Sequence, residues 1–188
     1  MVHATLIVES LQAGKVIIYP TDTVYGIGCD ATNKQAVSRV YSIKKRDPSK
    51  PVSVIMGSIR MIKEYCEVTQ EQQKLIEKYL PGPFTFILKQ KKPLACDTPG
   101  TLAVRIPDYA PIVKACEILG KPIVTTSANI SGSKESWSVN AIDVEVVTKV
   151  DFVFDGGPCK YRGPSTVYDC TTNKIARQGV GVLETDKQ

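Results

Sequence analysis

Five short polar clusters hold the side chains of this sequence that could do chemistry. The first is Pro20-Thr-Asp-Thr-Val-Tyr-Gly-Ile-Gly28, where Thr21 and Thr23 could offer hydroxyls and amides to a small polar ligand. Its two glycines would let backbone approach something closely; a turn held by Asp22 would explain the same residues. The second is Lys44-Lys-Arg46-Asp-Pro-Ser-Lys50-Pro51, four cations around a proline-fixed loop. Arg46 would give planar, multidentate contacts to a polyphosphate and Lys44 a point charge, although cations also complement the end of a helix. The third is Thr101-Leu-Ala-Val-Arg105-Ile-Pro107, whose arginine needs either an anionic ligand or an internal carboxylate to be buried. The fourth, Thr125-Thr-Ser127-Ala-Asn129-Ile-Ser-Gly132, ends an apolar run in hydroxyl and amide groups. The fifth is Gly163-Pro-Ser165-Thr-Val-Tyr-Asp169, followed by Ile175-Ala-Arg177. No G-x-x-x-x-G-K-[ST] phosphate loop occurs.

These clusters fall at the ends of short β-branched runs, where ligands often bind. The pattern predicts strands over 16–19, 24–28, 52–56, 84–89, 101–106, 123–126, 152–155, 166–169 and 174–177. A helix over 5–13 is stopped by Gly14, and one over 34–43 puts Ala36, Val37, Val40 and Tyr41 on one face. Thr69-Gln-Glu-Gln72 reads as a capping box opening a helix to Leu80. Asp108 is predicted to cap a helix stopped by Gly120, and another helix is predicted over 140–147. Mixed elements without an internal repeat imply a mixed sheet with helices packed on it; the strand order does not follow from the pattern.

A chain of 188 residues fits one domain and buries roughly 70% of its unfolded surface. Hydrophobic content of 43% and charged content of 23% exclude wholesale disorder. No run of about 18 apolar residues occurs, and the N-terminus lacks the basic region of a signal peptide. The only histidine is His3, and the six cysteines show no C-x-x-C pair, so no metal site is expected. A reduced, cytoplasmic setting is the simplest reading of those cysteines. The net charge is +5, but segments 44–50, 89–92 and 160–162 hold +8, leaving −3 for the rest of the chain. Local cationic loops on a mildly acidic body suggest anion sites.

In this order and spacing the clusters resemble the YrdC-like family of threonylcarbamoyl-AMP synthases, over residues 6–179. The most specific matches are Pro-Thr-Asp-Thr-Val-Tyr-Gly, Lys44-x-Arg46, Ser127-x-Asn129 and Pro-Ser-Thr-Val, supported by Pro-Gly-Pro-Phe-Thr at 81–85 and Val-Arg-Ile-Pro at 104–107. The resemblance implies an α/β (α+β) fold, a twisted mixed sheet with flanking helices and a concave basic face. It also implies synthesis of L-threonylcarbamoyladenylate and pyrophosphate from L-threonine, bicarbonate or CO2, and ATP. A separate transferase would then place the threonylcarbamoyl group on tRNA. By this resemblance Lys44 and Arg46 are the catalytic pair holding ATP phosphates. Thr23, Arg105 and Ser165 would bind L-threonine, and Thr101, Ser127, Asn129 and Arg177 the nucleotide. Magnesium would arrive on the phosphates rather than in a protein cage.

Some relatives carry a histidine near the threonine site; here Ile55 lies near that position. Residues 133–139, with Trp137, depart from the pattern, so the nucleotide contact there stays open. The chain stops at Gln188, so one domain over 1–188 is expected, without the C-terminal domain of longer relatives. The principal rival is a non-catalytic module binding double-stranded RNA or tRNA through the basic loops. Only 12 of the residues are Tyr or Phe and one is Trp, with none in an RNP-like motif, so stacking on bases has little support.

Overall fold

The computed structural model describes residues 2–96 and 100–184. In chain order its elements are α1 (Val2–Gln12), β1 (Ile17–Tyr19), β2 (Gly26–Gly28), α2 (Lys34–Ile43), β3 (Ser53–Ile55), α3 (Ile59–Tyr65), β4 (Cys66–Glu67) and α4 (Gln70–Tyr79). They continue with β5 (Phe84–Gln90), β6 (Thr101–Arg105), α5 (Ala110–Leu119), β7 (Ile123–Ser127), a 3-10 turn (Val139–Ala141), α6 (Val144–Val147), β8 (Phe152–Val153), β9 (Thr166–Asp169) and β10 (Lys174–Arg177). The strands form one mixed sheet in the order β10-β9-β5-β6-β3-β7-β2-β1-β8, with β4 paired to the far end of β5. The pairs β3/β6, β5/β9 and β1/β8 are parallel and the others antiparallel.

Alternate strand residues face opposite sides. Ile18, Ile27, Val54, Phe86, Leu88, Val104 and Val124 enter one core with Ala36, Val37 and Val40 of α2, Ile62 of α3 and Ile76 of α4. Ile17, Tyr19, Ile55 and Ile123 enter the other, beneath Ile7, Val8 and Leu11 of α1 and Ile112, Ala115 and Cys116 of α5. Each fully buried Ile or Val contributes on the order of 1.5–3 kcal/mol. On that second face the register carries Ile55 and Ile123 on to Ser53, Ala103 and Thr125. The apolar residues give way to small and polar ones there, and the sheet face opens into a cavity.

Local signals explain most boundaries. Asn33 caps α2 by accepting from the Gln35 and Ala36 amides, and the Thr69/Gln72 capping box opens α4. Gly14 and Gly120 adopt the left-handed conformation, with φ of 72° and 68°. Other expectations are corrected. Asp108 does not cap α5: Tyr109 is the N-cap, without a side-chain bond, and Asp108 pairs with Lys160 at 2.8 Å. The single helix predicted over 140–147 is split at Ile142-Asp143, where Asp143 caps α6 through the Glu145 amide. The sequence reading missed α3 and β4, although Ser58 accepts from the Met61 amide as an ordinary N-cap.

Candidate active site

The cavity has a volume of about 490 Å3, within the range of small-molecule sites. Its floor is the open sheet face: Ser53, Ala103 and Thr125 in the middle, Gly26 and Ser127 on one flank, Thr85, Ile87 and Val167 on the other. The β1–β2 turn, the loop after α2, segment 127–135 and the Pro164-Ser165 turn form its walls.

Beneath the first wall, Gly28 has a packing reason rather than a ligand-binding one. A Cβ there would lie 1.7 Å from the Val124 carbonyl oxygen. The Tyr19 hydroxyl donates to that same carbonyl at 2.9 Å, so the β7 backbone and a tyrosine, not a ligand, fill the space against the glycine. Above it, Thr21 Oγ1 donates to the Val24 carbonyl at 2.7 Å and accepts from the Thr23 amide at 3.2 Å. The turn is therefore held by Thr21, not by Asp22.

Asp22 points inward instead. Arg105 Nη2 donates to Asp22 Oδ1 at 2.6 Å, and Nη1 donates to Thr23 Oγ1 at 3.0 Å. Both readings of Arg105 hold at once, since it forms an internal ion pair and also lines the cavity. Its side chain is 7% exposed and that of Asp22 is 0%. Burial lowers the pKa of the guanidinium, opposed by the Asp22 charge. Arg105 Nε and Asp22 Oδ2 are buried without hydrogen-bond partners among the described residues, a cost of the kind found at functional sites.

The end of α2 delivers the second group of cations. Lys45 takes a left-handed conformation with φ of 49°; its amide bonds the Ser42 carbonyl, and the Arg46 amide bonds that of Tyr41. This is a Schellman closure without glycine. It turns Lys44 into the protein and sends Arg46 to the cavity wall. Lys44 Nζ donates to the Asn129 carbonyl at 2.7 Å, to Asn129 Oδ1 at 3.0 Å and to the Ser127 carbonyl. Its own carbonyl accepts from the Ser131 amide at 2.8 Å. Burial, helped by Arg46, pulls the Lys44 pKa down to about 8. Arg46 donates through Nε to the Lys50 carbonyl at 3.2 Å and through Nη2 to that of Pro51 at 2.7 Å. Asn129 is fixed by Ser127 Oγ at 2.6 Å and by its own donation to the Ser133 carbonyl.

Across the floor, Thr85 Oγ1 and Ser165 Oγ share a hydrogen bond of 2.8 Å. Arg177 Nη2 donates to the Ser165 carbonyl at 2.8 Å, and burial lowers its pKa. Gly179 lets the chain after β10 lie against this turn, since a Cβ there would sit 2.3 Å from the Pro164 carbonyl oxygen. Among the described residues, Lys44, Arg46, Arg105 and Arg177 are the cations lining the cavity and Glu135 is its acid. None of the described lining residues is His, Cys or Tyr. The site is suited to binding anions and aligning them, not to histidine-type acid–base chemistry.

Thr23, Lys44, Arg46, Arg105, Ser127, Asn129, Ser165 and Arg177 thus converge on one cavity. Thr101 does not line it. It lies opposite Lys89 at the start of β6, one side-chain repeat beyond Ala103. Ile55 is fully buried in the core under α1 and α5; Ser53 of β3, with Val52 just before the strand, reaches the cavity instead. Of residues 133–139, Ser133 and Glu135 line the cavity and Trp137 stacks on Arg162, 4.7 Å from its guanidinium carbon. Sequence reasoning passed over Ser53 and Thr85 as site residues, and gave Thr125, at the head of the fourth cluster, no role. The signal of the first two was hydroxyls at positions whose strand neighbours are apolar.

Comparison with known proteins points to one family. A Methanocaldococcus jannaschii protein, provisionally named as a threonylcarbamoyl-AMP synthase, is 44% identical over 95% of this chain and 86% of its own length. The threonylcarbamoyl-AMP synthase of Aliivibrio fischeri is 33% identical over 95% of this chain and 100% of its own. The crystal structure of P. abyssi Sua5 complexed with L-threonine superposes with a TM-score of 0.82 at 29% identity. It covers 89% of this chain, which spans only 51% of that protein. The Sua5/YciO/YrdC family model, described as "Telomere recombination", matches residues 9–179. With nearly the whole chain matched, and the basic cavity built from the matching motifs, the protein belongs to the Sua5/YciO/YrdC family.

Proposed function

We propose that the protein is an L-threonylcarbamoyladenylate synthase, joining L-threonine, bicarbonate or CO2, and ATP with release of pyrophosphate. One observation carries this reading. A single cavity sets a buried arginine–hydroxyl corner, Arg105 with Thr23, across a floor of small residues from the Lys44–Arg46 wall. The names of the relatives and the threonine bound to P. abyssi Sua5 support it.

Threonine's amine captures CO2, its proton passing to water. A carbamate oxygen then bonds to the α-phosphorus as the bond to the bridging oxygen breaks, and pyrophosphate leaves with that electron pair. Every partner is anionic, so the protein's task is alignment and charge neutralisation. Arg105, Thr23 and Ser165 hold threonine's polar groups. Arg46 meets the phosphates by hydrogen bonding. Lys44, whose three N–H donors already face Ser127 and Asn129 oxygens, adds its charge through space and shapes the wall. Ser127, Asn129 and Arg177 line the nucleotide side. Magnesium carried on the ATP would supply further neutralisation of the phosphates, keeping mainly water and phosphate ligands. The product would serve a separate transferase that modifies tRNA.

The deciding assay omits reactants one at a time. Pyrophosphate and the AMP anhydride product should form only when ATP, magnesium, bicarbonate and L-threonine are all present. Pyrophosphate release without threonine, or none with all four, would overturn the reading.

A further inference from the structure

Glu135 is an anomaly in a cavity built for anions. It lines a space that also presents Lys44, Arg46, Arg105 and Arg177, yet its half-buried carboxylate makes no ion pair among the described residues. Its negative charge is felt at both Lys44 and Arg177, which places it beside the cations assigned to the nucleotide side without pairing with either. The loop that carries it is tied to the body at three points. Ser133 accepts from Asn129, its amide bonds the Ile130 carbonyl, and the Ser136 carbonyl accepts from the Tyr25 amide. A carboxylate held in that position would repel bare phosphates, at a cost that opposes binding.

The repulsion reverses if a divalent cation lies between the two. Magnesium characteristically takes one or two carboxylates together with phosphate oxygens and water. We propose that Glu135 is the protein's ligand to the magnesium ion carried on the nucleotide phosphates, directly or through a bound water, so that the cavity selects metal-loaded over metal-free nucleotide. The proposal rests on the synthase reading, because it takes ATP as the cavity's ligand. It assigns segment 133–139 a contact to the nucleotide's metal rather than to its base or sugar.

The test is calorimetric titration of ATP into the full chain, without threonine or bicarbonate, once in excess magnesium and once in EDTA. The wild type and Glu135→Gln are compared, and equal melting temperatures confirm that the fold is unchanged. One unit charge at short range is worth up to about tenfold in affinity. Glu135→Gln should bind metal-free ATP severalfold to tenfold more tightly, and magnesium-ATP more weakly by a similar factor. A ribose contact or a purely structural role would weaken both forms together, and a bystander charge would strengthen both or change neither; each of these results overturns the proposal. Wild-type protein that binds neither form would overturn the synthase reading itself and this inference with it.

Discussion

Two cationic regions of this molecule look alike as sequence and differ as chemistry. At the β4–β5 edge, Lys89 pairs with Glu67 at 2.8 Å and Lys92 with Glu64 at 2.6 Å, on exposed side chains. In the cavity wall, Lys44 and Arg46 are held by carbonyl and amide oxygens, and Arg177 by the Ser165 carbonyl and hydroxyl. Neutral oxygens fix a cation's position and leave its net charge in place, whereas a carboxylate partner cancels it. Lys160 and Lys45 likewise pair with Asp108 and Glu145. Counting lysines and arginines along the chain therefore overstates the field of the outer loops and understates that of the cavity. An RNA-binding reading based on those outer clusters loses much of its support.

Arg105 breaks the pattern, as the cavity cation with an acid partner, and its removal should have the largest effect. Arg105→Met leaves the Asp22 charge buried alone, a loss of about 3–5 kcal/mol that chemical denaturation would register. Combining it with Asp22→Asn should recover much of that stability but not the affinity for threonine. If affinity returns as well, Arg105 acts only as a structural ion pair.

Next in size, Arg46→Ala should lower turnover by on the order of 10²-fold, as loss of one preorganised charged donor does. A triple Lys89→Ala, Lys91→Ala, Lys92→Ala variant should stay within about twofold of the wild-type rate, since these charges are exposed and two of the three are paired with carboxylates. Equal losses in the two proteins would erase the distinction between the regions.

Among the cavity cations, the smallest effect concerns pH. With its pKa held near 8, Lys44 loses its charge in the folded protein between about pH 8 and its ordinary value of 10.5. Across that window the unfolded chain binds the extra proton, so the Lys44 contribution to folding stability rises with pH. Affinity for ATP should move the other way, falling about tenfold as the charge is lost. Lys44→Met should flatten both trends. A wild-type affinity that is constant from pH 7 to 10 would show that Lys44 serves only to hold the wall.

What was legible in the sequence was local. The helix Lys34–Ile43 and the Thr69/Gln72 capping box depend on neighbours within a few residues, and both appear where the pattern places them. So do the strands Thr166–Asp169 and Lys174–Arg177. The site's motif residues could be identified because each motif is contiguous. What could not be read was long-range pairing. That Asp22 meets Arg105 depends on two strands separated by more than 80 residues, and the Thr85–Ser165 bond on a parallel pairing with β9. Thr101 was placed in the site by its motif, but the register of β6 carries it past the cavity's edge.

The cavity floor and the core under α1 and α5 are one continuous sheet face. Ser53, Ala103 and Thr125 therefore belong to the same central strands that carry Ile55 and Ile123 into that core. Their amides can open to solvent only when those strands separate, close to global unfolding. Segment 131–135 and the Pro164-Ser165 turn, held by a few hydrogen bonds, can open separately at much lower free energy. Any adjustment of the site to a ligand would thus fall to the walls, over a floor that does not yield, and the wall amides should exchange with solvent faster than those of the floor.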